Sequence, residues 1–203
     1  MDINFFEFEN KARSNGYKCI AGVDEAGRGP LAGAVYAAAV VFDEGVYIEG
    51  VNDSKKLSEK KRELLFDEII AKAKSYSIFS VDEKVIDEIN ILNATYRAFA
   101  GAVDGLNPPC DFALIDGNRA GKMSVPFETV VKGDSLSFSI AAASILAKVS
   151  RDRYILEADK LYPEYGFARH KGYGTKDHLE AIKKYGPCPI HRLTFGGVRE
   201  HVK

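Results

Sequence analysis

A mixed α/β sheet flanked by helices is the architecture this 203-residue sequence predicts. Three observations carry that prediction. Short apolar runs that read as strands alternate with longer stretches of helical periodicity. The first two runs are joined by a short glycine-rich connection, which favours antiparallel neighbours, and two later runs follow long helical segments, which favours parallel pairing. With 46% hydrophobic and 28% charged side chains the chain can bury one substantial core. Residues 1–203 are therefore expected to form a single domain, with a core over about 17–186 and a C-terminal segment from about 187.

Tyr17 to Asp24 reads as the first strand, and Ala34 to Phe42, apolar enough to be buried on both faces, as the second. Ser58 is placed to cap a helix running to about Lys74, with Leu65, Ile69, Ile70 and Ala73 on one stripe. Tyr76 to Val81 is the third strand. A helical pattern follows in which Leu92, Tyr96, Phe99 and Val103 recur at offsets of four, three and four, ended by Gly105 and Pro108-Pro109. Phe112 to Asp116 and Phe127 to Lys132 complete five strands, and both are read as ending at an acid, Asp116 and Asp134. A long helix from about Ser135 to Leu161 keeps Phe138, Ala142, Ile145, Val149 and Leu156 on one side. A helix from about Thr175 to Tyr185 and a tail introduced by Pro187 and Pro189 give a helical C-terminal segment. Repeats and low-complexity tracts are absent from the sequence.

The net charge of -1 conceals an asymmetry: residues 147–203 carry 12 Lys and Arg against 7 Asp and Glu, so the remainder is acidic. An acidic part suited to metal beside a basic part suited to phosphate is compatible with a nuclease. Cys19, Cys110 and Cys188 are too few and too scattered for a disulfide framework or a zinc cluster, which fits a reducing cytoplasm. The amino terminus is acidic and aromatic, and the longest apolar run, Leu31 to Phe42, is broken at Gly33, so neither a signal peptide nor a membrane span is expected.

The densest chemistry lies in Val23-Asp24-Glu25-Ala26-Gly27-Arg28-Gly29-Pro30. Two carboxylates close an apolar strand although acids are poor strand formers, and no basic residue adjoins them. Asp24, Glu25, Asp116 and Asp134 all fall at predicted strand ends, which can converge on one edge of a sheet whose first strand is central. Such a cluster would repel itself unless cations lay within it; two Mg²⁺ or Mn²⁺ ions roughly 4 Å apart would neutralise it and support in-line phosphodiester hydrolysis. Neighbouring strand residues point to opposite faces, so Asp24 and Glu25 are expected to share a site only if the strand loses regularity at Ala26-Gly27. Singly, Asp134 also reads as an N-cap and Asp116 as a turn residue; it is the combination that argues for a site.

Gly27-Arg28-Gly29 lacks the spacing and the following helix of a dinucleotide loop, and the upstream acids would repel an unescorted pyrophosphate. Its amides can approach a sugar–phosphate chain while Arg28 binds phosphate, although a bare turn would need the same glycines. Lys55 and Lys56 precede a helix, where the macrodipole disfavours cations, and so read as phosphate ligands. Tyr173, held between Gly172 and Gly174, offers an exposed aromatic face. His170, His178, His191 and His201 have no zinc spacing, and no G-x-S-x-G nucleophile elbow occurs.

These segments, in this order, resemble bacterial ribonuclease HII: Gly22 to Gly33, Asp53-Ser54-Lys55-Lys56-Leu57, Ile115-Asp116-Gly117, Lys132-Gly133-Asp134, Ser139 to Asp152, His170 to Thr175, and the tail His191-Arg192-Leu193-Thr194-Phe195, where the family more often has Ser at the fourth place. The resemblance covers nearly the whole chain. It implies a ribonuclease H-like fold and metal-dependent cleavage of RNA in RNA–DNA hybrids and at ribonucleotides embedded in duplex DNA, leaving 3′-hydroxyl and 5′-phosphate ends. It further implies that Asp24, Glu25, Asp116 and Asp134 are the metal-binding catalytic acids. Gly27, Arg28, Gly29 and Tyr173 would sense the 2′-hydroxyl at the RNA–DNA junction, and His191 and Arg192 would belong to a tail that helps bind duplex. A monomer acting in the cytoplasm on nucleic acid, without a membrane, is expected. The rival ribonuclease HIII carries an extra amino-terminal domain, which is not expected here, where roughly 16 residues precede the first strand. A silent hybrid-binding module would not need all four acids.

Overall fold

The computed structural model describes residues 4–202; Met1 to Ile3 of the acidic amino terminus and Lys203 of the expected tail lie outside the described residues. Five strands, β1 (Ile20–Ala26), β2 (Val35–Val41), β3 (Ser75–Val81), β4 (Phe112–Asp116) and β5 (Phe127–Val130), form one sheet in the order β3-β2-β1-β4-β5. The β1–β2 and β2–β3 pairs are antiparallel, and the β1–β4 and β4–β5 pairs are parallel. Thus β1 is the central strand, and its carboxyl end lies on the same edge as those of β4 and β5.

Among the described residues six α-helices accompany the sheet: α1 (Glu7–Ser14), α2 (Glu59–Lys72), α3 (Glu83–Asp104), α4 (Phe138–Leu161), α5 (Phe167–His170) and α6 (Lys176–Tyr185). Side-chain oxygens of Ser58, Asp82, Ser137 and Thr175 cap α2, α3, α4 and α6. One face of the sheet, including Ala21, Val23, Ala37 and Ala39, packs on α3; the other, with Ala38 and Val40, packs on α2 and α4. A third cluster joins Leu31, Ile155, Phe167, Ile182 and Val198, binding the C-terminal elements to the chain after β1. Small residues set these distances. A Cβ added to Gly22 would stand 2.0 Å from the Ser139 carbonyl carbon, so β1 and α4 are in backbone contact.

Several expectations need correction. The parallel β4–β5 pair is not joined by a crossover helix; residues 117–126 are irregular, and Ala120, Met123 and Val125 of that loop cover the α3 side of the core in a helix's place. Asp134 does not end β5 but stands in a separate 3₁₀ turn, Gly133–Ser135, so α4 begins at Phe138 rather than Ser135. Helix α3 breaks at Asn90, whose φ of 66° is left-handed and whose Oδ1 accepts from the Leu92 and Asn93 amides at 3.0 and 3.1 Å. Leu92 therefore sits in a first turn facing outward, and beyond the break the buried stripe starts at Ala94. On α4 Ile155, not Leu156, enters the core. Helix α1 is not among the expected elements, although Phe8 and Ala12, four apart, lie on its packed side. A buried carboxylate holds it: Glu9 Oε1 accepts from the Ser137 and Ser139 hydroxyls, each at 2.7 Å, and from the Ser139 amide at 2.9 Å, at the positive end of α4. Among the described residues no helix is long and apolar enough to cross a membrane.

Gly22→Ala is expected to destabilise the protein by about 3 kcal/mol, because the clash is with backbone that cannot rotate away. The urea unfolding midpoint measures this, and a midpoint equal to that of the unaltered protein would show that α4 can retreat from β1 at no cost.

Candidate active site

Strand β1 stays paired with β2 through Ala26, so the loss of regularity expected after Asp24 does not occur. Alternation holds: Gly22 and Asp24 face α4, while Val23 and Glu25 face α3. The two carboxylates meet at the strand end instead, where both feel the charge of Asp116 at the end of the adjacent β4. Asp24 Oδ1 accepts from the Glu25 amide at 2.7 Å. Lys132, at φ 58°, turns the chain after β5 so that the Gly133 amide donates to Asp116 Oδ1 at 2.7 Å. One acid thereby holds the turn that carries another, Asp134.

Burial dominates the electrostatics of this cluster. Asp24 is only 5% exposed. Desolvation pushes its carboxyl well above the ordinary carboxylate range, and the charges of Glu25, Asp116 and Asp134 add to the effect. Glu25 is also raised by burial, with partial relief from Arg28, whose Nη1 lies 3.4 Å away. Asp116 is raised by burial and then by Asp134. Lys55 answers that charge: its Nζ donates to Asp134 Oδ2 at 3.1 Å, and although desolvation opposes it, the bond to Asp134 holds the ammonium above its usual pKa. Lys56 Nζ reaches Ser135 Oγ at 3.4 Å and Asp53 at 4.0 Å.

Among the described residues no three His, Cys, Asp or Glu side chains are gathered closely enough to hold one metal ion between them. The donor set is nevertheless all carboxylate oxygen, the ligand type of hard divalent cations. A positive charge has already been drawn to its edge, the Lys55 ammonium on Asp134. Chemically, these residues fit Mg²⁺ or Mn²⁺.

Asp24, Arg28, Lys55, Asp116, Lys148 and Tyr173 line one cleft. Gly27, at φ 97°, makes the turn that leaves β1, and a Cβ on Gly29 would lie 3.4 Å from the Tyr173 ring, so the tyrosine borders the glycine loop. Tyr173 is 47% exposed. Lys148 is a cleft residue outside the expected set, and its signal in the sequence is a single lysine in the apolar stretch from Ala141 to Val149; its Nζ also pairs with Asp152 at 2.6 Å. The expected contact of His191 and Arg192 with duplex is corrected. They are 1% and 0% exposed, and their polar atoms are engaged within the protein.

The sequence model of the ribonuclease HII family matches residues 21–198. The chain belongs to that family. It is 62% identical over 188 residues to Ribonuclease HII of Ruminiclostridium cellulolyticum, an alignment spanning 93% of this chain and 74% of the other. It is 57% identical over 194 residues to the Caldicellulosiruptor bescii protein, spanning 96% and 94%. The crystal structure of ribonuclease H2 from Pyrococcus horikoshii OT3 superposes with a TM-score of 0.77 at 31% identity, covering 90% of this chain and 96% of that one. Family and fold agree: the sheet is ribonuclease H-like, and the chain is a metal-dependent ribonuclease H active on RNA–DNA hybrids.

Behind the cleft of this ribonuclease HII three buried histidines lie together. His170 and His178 stack at 4.4 Å between centroids, and the Nε2 atoms of His178 and His191 are 3.0 Å apart. Burial first, then a neighbouring imidazole, lowers His178 and His191 to about 4 from an ordinary 6.5. The unfolded chain therefore takes up these protons first, and the stability contributed by the neutral pair is full above about pH 6.5 and declines as the pH falls toward 4. The decline is at most about 1.4 kcal/mol per pH unit for each ring. Asp24 and Asp116 act in the opposite sense, so the rings are best followed directly. By NMR, the His178 and His191 imidazoles are expected not to titrate between about pH 7.5 and 5.5; midpoints near the ordinary value would contradict their burial as a neutral pair.

Proposed function

We propose that Asp24, Glu25, Asp116 and Asp134 are the catalytic, metal-binding acids of an endonuclease that cuts RNA in RNA–DNA hybrids and at single ribonucleotides embedded in duplex DNA. Cleavage falls on the 5′ side of the ribonucleotide and leaves 3′-hydroxyl and 5′-phosphate ends. The observation that carries this reading is the mutual desolvation of Asp24, Glu25 and Asp116 at the carboxyl edge of two neighbouring parallel strands. Buried carboxylates with raised pKa values that answer to each other's charge mark a site built for cations. Bound Mg²⁺ or Mn²⁺ would activate a water and stabilise the leaving oxygen.

The chain's own residues do the rest. Asp116 fixes the Asp134 turn through the Gly133 amide. Lys55 balances Asp134 and, with Lys56, presents ammonium groups to the phosphate backbone. Arg28, half-exposed beside Glu25, can exchange that carboxylate for a phosphate. The amides of Gly27, Arg28 and Gly29 meet the 2′-hydroxyl, the one group that separates RNA from DNA at a site. Tyr173, bordering Gly29, packs against the following deoxyribose. Residues 1–203 act as one catalytic unit, monomeric and cytoplasmic, with 187–203 supporting the substrate surface.

Asp24→Asn is expected to lower metal-dependent nicking of a duplex with one ribonucleotide by more than about a thousandfold, roughly 4 kcal/mol of barrier, while duplex binding persists. Nicking at the unaltered rate would contradict the assignment. Tyr173→Ala should reduce junction cleavage about tenfold or more and duplex affinity far less; equal losses in both would remove its sensing role.

A further inference from the structure

We infer that His191 and Arg192 are positioning residues which set, from behind, the two arms of the ribonucleotide reader: Arg192 the Gly27-Arg28-Gly29 loop, and His191, through His178, the Tyr173 loop. This rests on the reading of those arms as the 2′-hydroxyl sensor.

Arg192 is fully buried, and among the described residues it forms no ion pair with a carboxylate, although the charges of Glu83 and Asp87 reach it. Its guanidinium is spent on four backbone carbonyls of a single seven-residue segment. Nη2 donates to Gly27 O at 2.5 Å, Nη1 to Arg28 O at 2.9 Å and to Pro30 O at 2.8 Å, and Nε to Gly33 O at 2.9 Å. Drawing these carbonyls inward fixes the peptide planes. Among the described residues the Arg28 and Gly29 amides donate to no protein acceptor, and both residues line the cleft. The planar fork of arginine can hold several carbonyls at once; a lysine ammonium is a compact point charge that cannot span them.

The second arm is held by a relay of neutral imidazoles. His191 Nδ1 accepts from the Cys188 amide at 2.9 Å, so its Nε2 carries the proton and donates to His178 Nε2 at 3.0 Å. His178 Nδ1 then donates to the Tyr173 carbonyl at 2.9 Å. A second buried guanidinium joins the arms: Arg151 donates to Lys171 O at 3.1 Å from both terminal nitrogens and to Ala32 O at 3.2 Å from one, and the Leu31 amide donates to Gly172 O at 2.8 Å. Burial, and then the charge of Arg151, lowers Arg192 to about 9. Two buried cations side by side are costly, and a turn needing only to be closed could be held by apolar packing. What the cations add is a fixed direction for each carbonyl, and hence for each free amide.

The test uses full-length protein carrying Asp24→Asn, so that substrate is bound and not cut. Affinities are measured for a duplex with one ribonucleotide and for the same duplex entirely in DNA, before and after adding Arg192→Lys or His191→Phe. The inference expects each addition to lower the preference for the ribonucleotide about tenfold, the worth of one positioned hydrogen bond, with DNA affinity held within about twofold. An undiminished preference, or equal losses on both duplexes, would overturn it and leave the two residues merely structural. A parent protein with no preference at all would overturn the sensor reading itself, and the inference with it. Should the variants fail to fold, the Arg192 guanidinium of the unaltered protein decides by NMR: resolved, slowly exchanging terminal N–H signals agree with a clamped loop, and averaged, freely exchanging ones contradict it.

Discussion

Carboxylates that share a buried strand end repel one another, and the site of this ribonuclease HII is organised around that repulsion. The sheet creates it by setting β4 beside β1 in parallel, so that Asp116 arrives next to Asp24 and Glu25. Strand alternation then moderates it. Because β1 keeps its pleat to Ala26, Asp24 turns toward α4 and Glu25 toward α3, and two cations stand beside the cluster, Lys55 on Asp134 and Arg28 on Glu25. The acids are neither merged into one closed knot nor separated; they are held apart along an edge with positive charge close by. On the proposed reading, that surface exchanges its side-chain cations for metal ions and for the contacts of a phosphate chain.

Precision at the edge depends on rigidity behind it. Gly22 lets α4 touch the backbone of β1, and Glu9 ties α1 to the first turn of α4, so the central strand is fixed along its length. Beyond the strand the chain has no ladder to hold it, and there two buried guanidiniums and a line of imidazoles take over. The front of the molecule is thus made of groups that can change partners, and the back of groups that cannot. His191 and Arg192, in a tail expected to bind substrate, are themselves buried parts of the frame.

How much of this was legible in the sequence follows from the range of the forces involved. The strands were readable because apolar runs and their bounding glycines are local, and the acids because charged residues at the end of such runs are anomalous. Asp134 was misplaced by four residues of chain because a left-handed Lys132 and a 3₁₀ turn leave no periodic trace. The β4–β5 loop is not legible as a loop, because three apolar side chains can cover a core without forming a helix. Most of all, Arg192 looked like a surface cation. Nothing in its neighbours shows that four carbonyls 159 to 165 residues earlier in the chain would enclose it, which only the tertiary fold determines.

The central claim, that the buried acids are tolerable because divalent cations relieve them, is tested most directly by titrating Mn²⁺ into the substrate-free protein while following its thermal unfolding. The account predicts a rise in unfolding temperature with saturable Mn²⁺ dependence, largely lost in Asp116→Asn, since an ion bound only by the folded state stabilises it by mass action. An unfolding temperature indifferent to the ion, or a rise of the same size in that variant, would contradict it.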